Sequence, residues 1–432
     1  MAAVNPSRGW GDGAWRNPQV APTAIHRLAP GGATSPCVDP KAECFWATHR
    51  VPSLESRIPN PALLMPTVLI LTTSHGASHR RASEALRKCL HELDPKVTVE
   101  VADGIHHCAW WFRAYYDSYA IPLRYWPSLW RRIEGYQHRQ SSTGPTSLYA
   151  LGARPLFRYL QAGNPDVVVA TEVGVCELAA LYKRRSQAQF FLAALELLDF
   201  NRAWIQPEVD LYAVVHPDLG AELVAAGASP SKIFISGMPI DPVYACLPCR
   251  ARARSRLAIR DDSPLILILF GGTGFGKPRQ IMAELRRIRA PFQAAFIAGK
   301  NPKLEAELRQ LCTGQSGWQA LGWVDNIHEW ITAADLVLSK PGGATVMEAA
   351  ACGVPLLALD PLPGNEERTC AWLEKWGAGV WLRSFSGISG TVDRLLKSSA
   401  ERGHLAAQSR AVSRPRAAYA IAEVLLARCG RR

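Results

Sequence analysis

From residue 65 onward the chain alternates short, continuous apolar runs with stretches of helical spacing. Val68 to Leu71 opens the series, followed by a polar loop with a glycine and then by RRASEALRKCLHEL, whose apolar positions recur at helical intervals. A short run with no polar alternation predicts a strand covered on both faces, as in a parallel sheet. The same signal predicts strands at Val167–Ala170, Leu211–Val215, Ile233–Ser236, Leu265–Phe270, Ala294–Ala298, Leu336–Ser339 and Leu356–Leu359. Strands that alternate with helices predict an α/β chain built on doubly wound parallel sheets.

The alternation breaks near residues 239–262, and LILILFGGTG then starts a second series. A chain of 432 residues exceeds what one core normally holds. We therefore expect a domain at 65–245, a linker at 246–262 and a second domain at 263–405. Residues 1–64, rich in Pro, Gly, Ala and Ser without a sustained period, are expected to form a disordered tail. Residues 406–432 predict an Ala/Arg-rich C-terminal helix. Two such sheets facing one another leave a cleft at the carboxyl ends of their strands, where ligands bind in this architecture.

Charge narrows the range of partners. Lys and Arg total 49 against 37 acidic residues, a net charge of +12. The excess suits an anionic partner such as nucleic acid, anionic lipid or a phosphorylated substrate, although a solvated basic surface gives the same number. Eleven cysteines without regular spacing argue against a disulfide framework, and the one CxxC, Cys246 to Cys249, has no second pair nearby to complete a metal site. A reducing cytosol fits this usage best. No run approaches the ~18 consecutive apolar residues of a membrane span, and the N-terminus lacks the pattern of a signal peptide, so contact with a membrane is expected to be peripheral.

Candidate chemistry concentrates in SKPGGATVMEAAACGVP, Ser339 to Pro355. A predicted strand ends in Lys340-Pro341-Gly342-Gly343-Ala344, and a helix begins near Thr345. The glycines allow a ligand to approach the backbone, and the helix start offers free N–H groups to a phosphate. Glu348, one turn inside, could accept hydrogen bonds from ribose hydroxyls. A glycine loop that merely turns the chain is the alternative.

That stretch, together with PLPGNEERTCAWLEKWGAG at Pro361–Gly379, resembles the GT-B glycosyltransferases of family 28, in particular the monogalactosyldiacylglycerol synthases and the processive diacylglycerol glucosyltransferases. The resemblance spans roughly residues 66–425 and is sharpest toward the C-terminus. It implies two Rossmann-like domains facing a central cleft, with the UDP-sugar held mainly by the second. Glu348 then resembles the ribose-binding residue, and Gly342 and Gly343 the diphosphate turn. Gly271, Gly272, Thr273 and Gly274 resemble the glycine loop that opens the second domain, and Trp323 and Val324 the segment beside the uracil. Pro363, Gly364, Asn365 and Glu366 would hold the sugar. Here the chain departs from the family, with Asn365 at the usual Gln and Thr369 at the later Asn, which leaves the identity of the sugar open.

In the first domain, TTSHGASHRRAS resembles the family's G-x-G-H turn, with Ser78 in place of the second glycine. The resemblance makes His79 the base that takes the acceptor's proton, with His75 as a competing candidate. A histidine titrates near neutrality and suits that task. Asp199, in the segment LDFNRAW that lacks the family's His, is a further catalytic candidate. PSKIFISGMPIDPVY, Pro230–Tyr244, matches the family's segment where the domains meet. Residues 105–140 combine Trp110, Trp111, Trp126 and Trp130 with Arg131 and Arg132, a composition that favours the boundary between water and anionic lipid. Packing inside the domain is the alternative.

Together these features imply transfer of galactose or glucose from UDP-galactose or UDP-glucose to diacylglycerol at the cell membrane, with no metal or other cofactor and no nucleic-acid partner. Transfer of N-acetylglucosamine to a lipid-linked cell-wall precursor, or binding of a sugar nucleotide without turnover, are the alternatives.

Overall fold

The computed structural model describes residues 67–74, 76–118, 120–198, 200–272 and 276–429, without the side chains of residues 120, 123, 124, 127 and 137. The expected tail at 1–64 lies outside this set, as do the candidates His75, Asp199, Thr273 and Gly274.

Two six-stranded parallel sheets form the protein. The first holds β1 (Thr67–Thr72), β2 (Thr98–Asp103), β3 (Val167–Ala170), β4 (Phe191–Glu196), β5 (Leu211–Val214) and β6 (Ile233–Ile235), in the order β2-β1-β3-β4-β5-β6. The second holds β7 (Leu265–Leu269), β8 (Gln293–Ile297), β9 (Trp318–Leu321), β10 (Leu336–Ser339), β11 (Leu356–Leu359) and β12 (Gly379–Leu382), in the order β12-β11-β10-β7-β8-β9. Strand order therefore reverses beside β1 in one lobe and beside β7 in the other. At such switch points adjacent connections leave in opposite directions and open a crevice. This is the two-domain GT-B architecture.

β2, β4, β9 and β12 have no counterpart among the strands predicted from sequence. Three are edge strands and only partly buried, so their side chains are not uniformly apolar. β4, FLAALE, is internal but made largely of good helix formers. Its neighbours β3 and β5 hold it extended, and packing overrides propensity.

The expected linker contains a helix, Arg250–Arg256, that anchors it to the second lobe. Arg254 is 3% exposed and donates to the carbonyl oxygens of Ala333, Arg260 and Ser263 and to Asp335 at 2.9 Å. The C-terminal region is two helices, Ser399–Val412 and Ala417–Leu426, broken at Pro415, which cannot supply a backbone N–H. The second of them crosses back to pack on α1 (Ala77–Leu93) of the first lobe. Gly237, with φ +86°, makes that crossing possible: a Cβ there would strike Cβ of Arg414 and crowd that of Ala417.

Candidate active site

The first wall of the cleft forms where β1 gives way to α1. Gly76 begins the helix at φ +88°, and His79 lies in the first turn. The imidazole Nδ1 sits 2.6 Å from the carbonyl oxygen of Thr171, at the end of β3. A carbonyl only accepts, so Nδ1 donates the N–H, which in the neutral ring leaves the lone pair on Nε2. This tautomer can receive a proton from a substrate. A Cβ at Gly76 would stand 3.2 Å from Cδ2 of His79, so the bare glycine leaves room for the ring. The contact to Thr171 joins the loops on either side of the switch point.

The second wall is the turn after β10. Gly342 caps the helix Gly343–Cys352 without a side-chain partner. The Ala344 N–H donates to Oγ of Ser78 at 3.3 Å, one residue before His79. Gly343 is pressed against the first lobe as well, since a Cβ there would lie 3.2 Å from the carbonyl oxygen of Leu197. The phosphate-type helix start and the histidine therefore share one narrow space between the lobes. Thr345 follows in the same first turn.

Glu348 is 2% exposed and ion-paired with Arg81 of α1. Burial pushes its carboxyl up to about 7, and the Arg81 charge pulls in the opposite direction. Lys340 stands 3.7 Å from Asp360. Both line a cavity at the ends of β7, β10 and β11 together with Phe270, Lys277 and Phe385. Two ammonium groups against one carboxylate leave the cavity wall net positive, which suits an anionic ligand.

The remaining loops gather on the same edge. Gly271 (φ +72°) interlocks with Gly299 (φ +65°), where any Cβ would strike the Gly271 carbonyl oxygen. Lys300 donates its N–H to Gly272 and places Nζ 4.6 Å over the half-exposed ring of Trp323. Trp323 itself is held by Asp325 at 2.7 Å, while Val324 packs toward the core. After β11, Pro363 and Gly364 lead into the helix Asn365–Lys375. Glu366 accepts from the Leu362 N–H at 2.7 Å, and burial raises its carboxyl. Asn365 is exposed.

Residues 105–140 form three helices, α2 (Trp110–Asp117), α3 (Ala120–Tyr125) and α4 (Pro127–Gln137). Their aromatics divide. Phe112 is fully buried and Trp111 packs against the same core, whereas Trp110 is 79% and Trp126 58% exposed. Trp130 is half-buried and Arg132 exposed. Arg131, expected to face lipid, forks instead on Glu367 of the second lobe, at 3.2 and 2.7 Å.

Sequence reasoning noted Ser78 only as a departure from the turn, and missed Arg81, Thr171 and Lys277. Ser78 and Arg81 lie within two residues of His79 in SHRR, and that nearness in the chain was the available signal. Thr171 and Lys277 carry no motif and become neighbours of the site only through the sheet order.

The family model for monogalactosyldiacylglycerol (MGDG) synthase matches residues 79–240, and that for glycosyl transferases group 1 matches residues 278–374. The processive diacylglycerol beta-glucosyltransferase of Bacillus mycoides is 25% identical over 372 residues, covering 84% of this chain and 94% of the relative. Among solved structures, Acinetobacter baumannii MurG aligns with a TM-score of 0.57 at 13% identity, over 84% of this chain and 99% of its own. The UDP-GlcNAc 2-epimerase of Neisseria meningitidis, bound to UDP-GlcNAc, aligns with a TM-score of 0.53 at 15% identity, over 84% and 100%. At these identities the two structures speak for the fold alone.

Proposed function

We infer that this chain, a GT-B glycosyltransferase of the diacylglycerol sugar-transferase type, moves galactose or glucose from a UDP-sugar to diacylglycerol at a membrane surface. The observation that carries the reading is the pairing of His79 with the Gly343–Cys352 helix start, linked through Ser78 and Ala344. It puts a proton acceptor beside an anion site across one cleft.

In this reading UDP lies along the second lobe, with its diphosphate at the N–H groups of Gly343 to Thr345 and its ribose on Glu348. Gly271 and Gly272 let the phosphates approach, and Trp323 flanks the base. The sugar rests against Pro363, Gly364, Asn365 and Glu366. The acceptor oxygen attacks the anomeric carbon as the bond from that carbon to the β-phosphate oxygen breaks. Nε2 of His79 takes the acceptor's proton. Charge grows on the departing diphosphate, and prearranged donors there lower the barrier because they need no reorganisation. Lys277, Lys340 and the helix N-terminus supply positive potential at that point, so the step runs without a metal or other cofactor.

Peripheral membrane contact fits the exposed Trp110, Tyr125, Trp126 and Leu129. Aromatic residues with basic neighbours sit well at a headgroup boundary. Among the described residues no helix is long and apolar enough to cross a membrane.

The test is turnover. Purified protein, diacylglycerol liposomes and radiolabelled UDP-glucose or UDP-galactose should yield a labelled glycolipid on thin-layer chromatography. No product from either donor would overturn the reading.

A further inference from the structure

Helix α4 belongs to the first lobe by sequence and to the aromatic segment by composition, yet its inner face reaches the sugar loop of the second lobe. Three contacts make the link. Arg131 forks on Glu367 in the first turn of the Asn365–Lys375 helix. The buried carboxylate of Glu134 fills the space beside Gly364, where any Cβ would collide with it. His138, 3.4 Å from Glu134, lies 3.3 Å from Arg368, which also binds the Phe200 carbonyl and Glu222 at 3.0 Å each.

The loop these groups touch follows an unusual backbone path. Gly364 is at φ +90°, ψ −109°, a region that side-chain-bearing residues rarely enter. The loop's own support is local: Glu366 on the Leu362 N–H and Glu367 on the Gly364 N–H. Glu367 thus serves twice, capping the helix on one side and receiving the Arg131 fork on the other. Half-exposed ion pairs add little stability, so this one matters through geometry. A planar guanidinium on two carboxylate oxygens sets angle as well as distance.

We propose that α4 is a wall of the donor-sugar site, and that Arg131 and Glu134 are positioning residues that hold the Pro361–Glu367 loop in its sugar-binding shape. The same helix exposes Trp126 at its start and Leu129 one turn on, so the element that meets lipid also orders the loop that meets the sugar. The inference rests on the functional reading above, which gives that loop its sugar.

The test compares UDP with UDP-hexose. Affinities for UDP alone, UDP-glucose and UDP-galactose are measured by calorimetry, with turnover on diacylglycerol liposomes, for wild type, Arg131→Glu, Glu367→Arg and the double swap. Each single variant should weaken UDP-hexose binding and raise its KM about tenfold, the scale of one charge-assisted hydrogen-bonded contact, and leave UDP binding within about twofold. The double swap restores the ion pair but not the acceptor for the Gly364 N–H, so it should bind UDP-hexose more tightly than either single variant, which general destabilisation would not do. Unchanged UDP-hexose affinity in the single variants, equal loss for UDP and UDP-hexose, or no recovery in the double swap would overturn the proposal. If wild type itself bound no UDP-hexose, the functional reading would fall and the proposal with it. Turnover in wild type with indifferent variants would remove the proposal alone.

Discussion

The guanidinium of Arg81 closes on the carboxylate of Glu348 across the cleft, and so joins the first helix of one lobe to the phosphate-type helix of the other. Arg81 is two residues from His79, and Glu348 four from Ala344. One ion pair therefore ties the candidate base's helix to the candidate ribose carboxylate. A nucleotide that takes Glu348 has to compete with Arg81 for it.

Glu348→Ala should raise the KM for the UDP-sugar about 5- to 150-fold and leave that for the acceptor nearly unchanged. The range corresponds to about 1–3 kcal/mol, the cost of leaving a buried partner unpaired. Donor affinity equal to wild type would take Glu348 out of the site.

The same carboxyl governs a pH effect. Its value in the folded protein, about 7, is above the ordinary 4.5, with burial as the first cause. Between those two values the folded state binds more protons than the unfolded state, so stability falls as pH rises through this window. Glu348→Gln removes the titration. Relative to that variant, wild type should lose melting temperature from about pH 5 to about pH 7.5. A Tm difference that stays flat, or that moves in wild type's favour on raising the pH, contradicts the assignment.

His79→Ala should lower kcat by about a hundredfold or more, the scale of positioned proton transfer, with UDP still bound normally. His79→Gln keeps a donor to Thr171 but offers no basic nitrogen, so it should be equally impaired. Near-normal turnover in either would move the base role to another group.

For the membrane surface, the structure redirects mutagenesis to the exposed side chains. Replacing Trp110, Trp126 and Leu129 with Ser and Arg132 with Ala should abolish binding to anionic liposomes. Wild type should bind them better than neutral ones and release partly in high salt, because each basic residue near such a surface contributes about 1 kcal/mol and salt screens it. Full binding by the quadruple variant would show that lipid contact, if any, uses another surface.

Arg254→Ala should destabilise the second lobe by about 3–5 kcal/mol, the cost of breaking a buried pair and leaving Asp335 with one fewer partner. Arg250, on the same carboxylate at 2.6 Å, offsets part of this. Denaturant unfolding measures it; a loss below about 1 kcal/mol would mean that Arg250 and the Leu265 N–H satisfy Asp335 without Arg254.

What the sequence determined by itself was local. Runs such as LILIL are apolar on both faces, as interior strands are, so the α/β class and eight of the twelve strands were legible from residue type and alternation. The KPGG turn and its helix were legible for a similar reason, since glycine and helix-start chemistry act within a few residues. Tertiary structure decided the rest. FLAALE became a strand because β3 and β5 left only an extended path between them. Arg131 turned from lipid to Glu367 because lobe packing brings α4 onto a loop 236 positions away. Arg81 met Glu348, and Ser78 met Ala344, by the same approach. No periodicity encodes such pairs. Their partners are far apart in the chain, and their energy exists only once two sheets have folded and closed on each other.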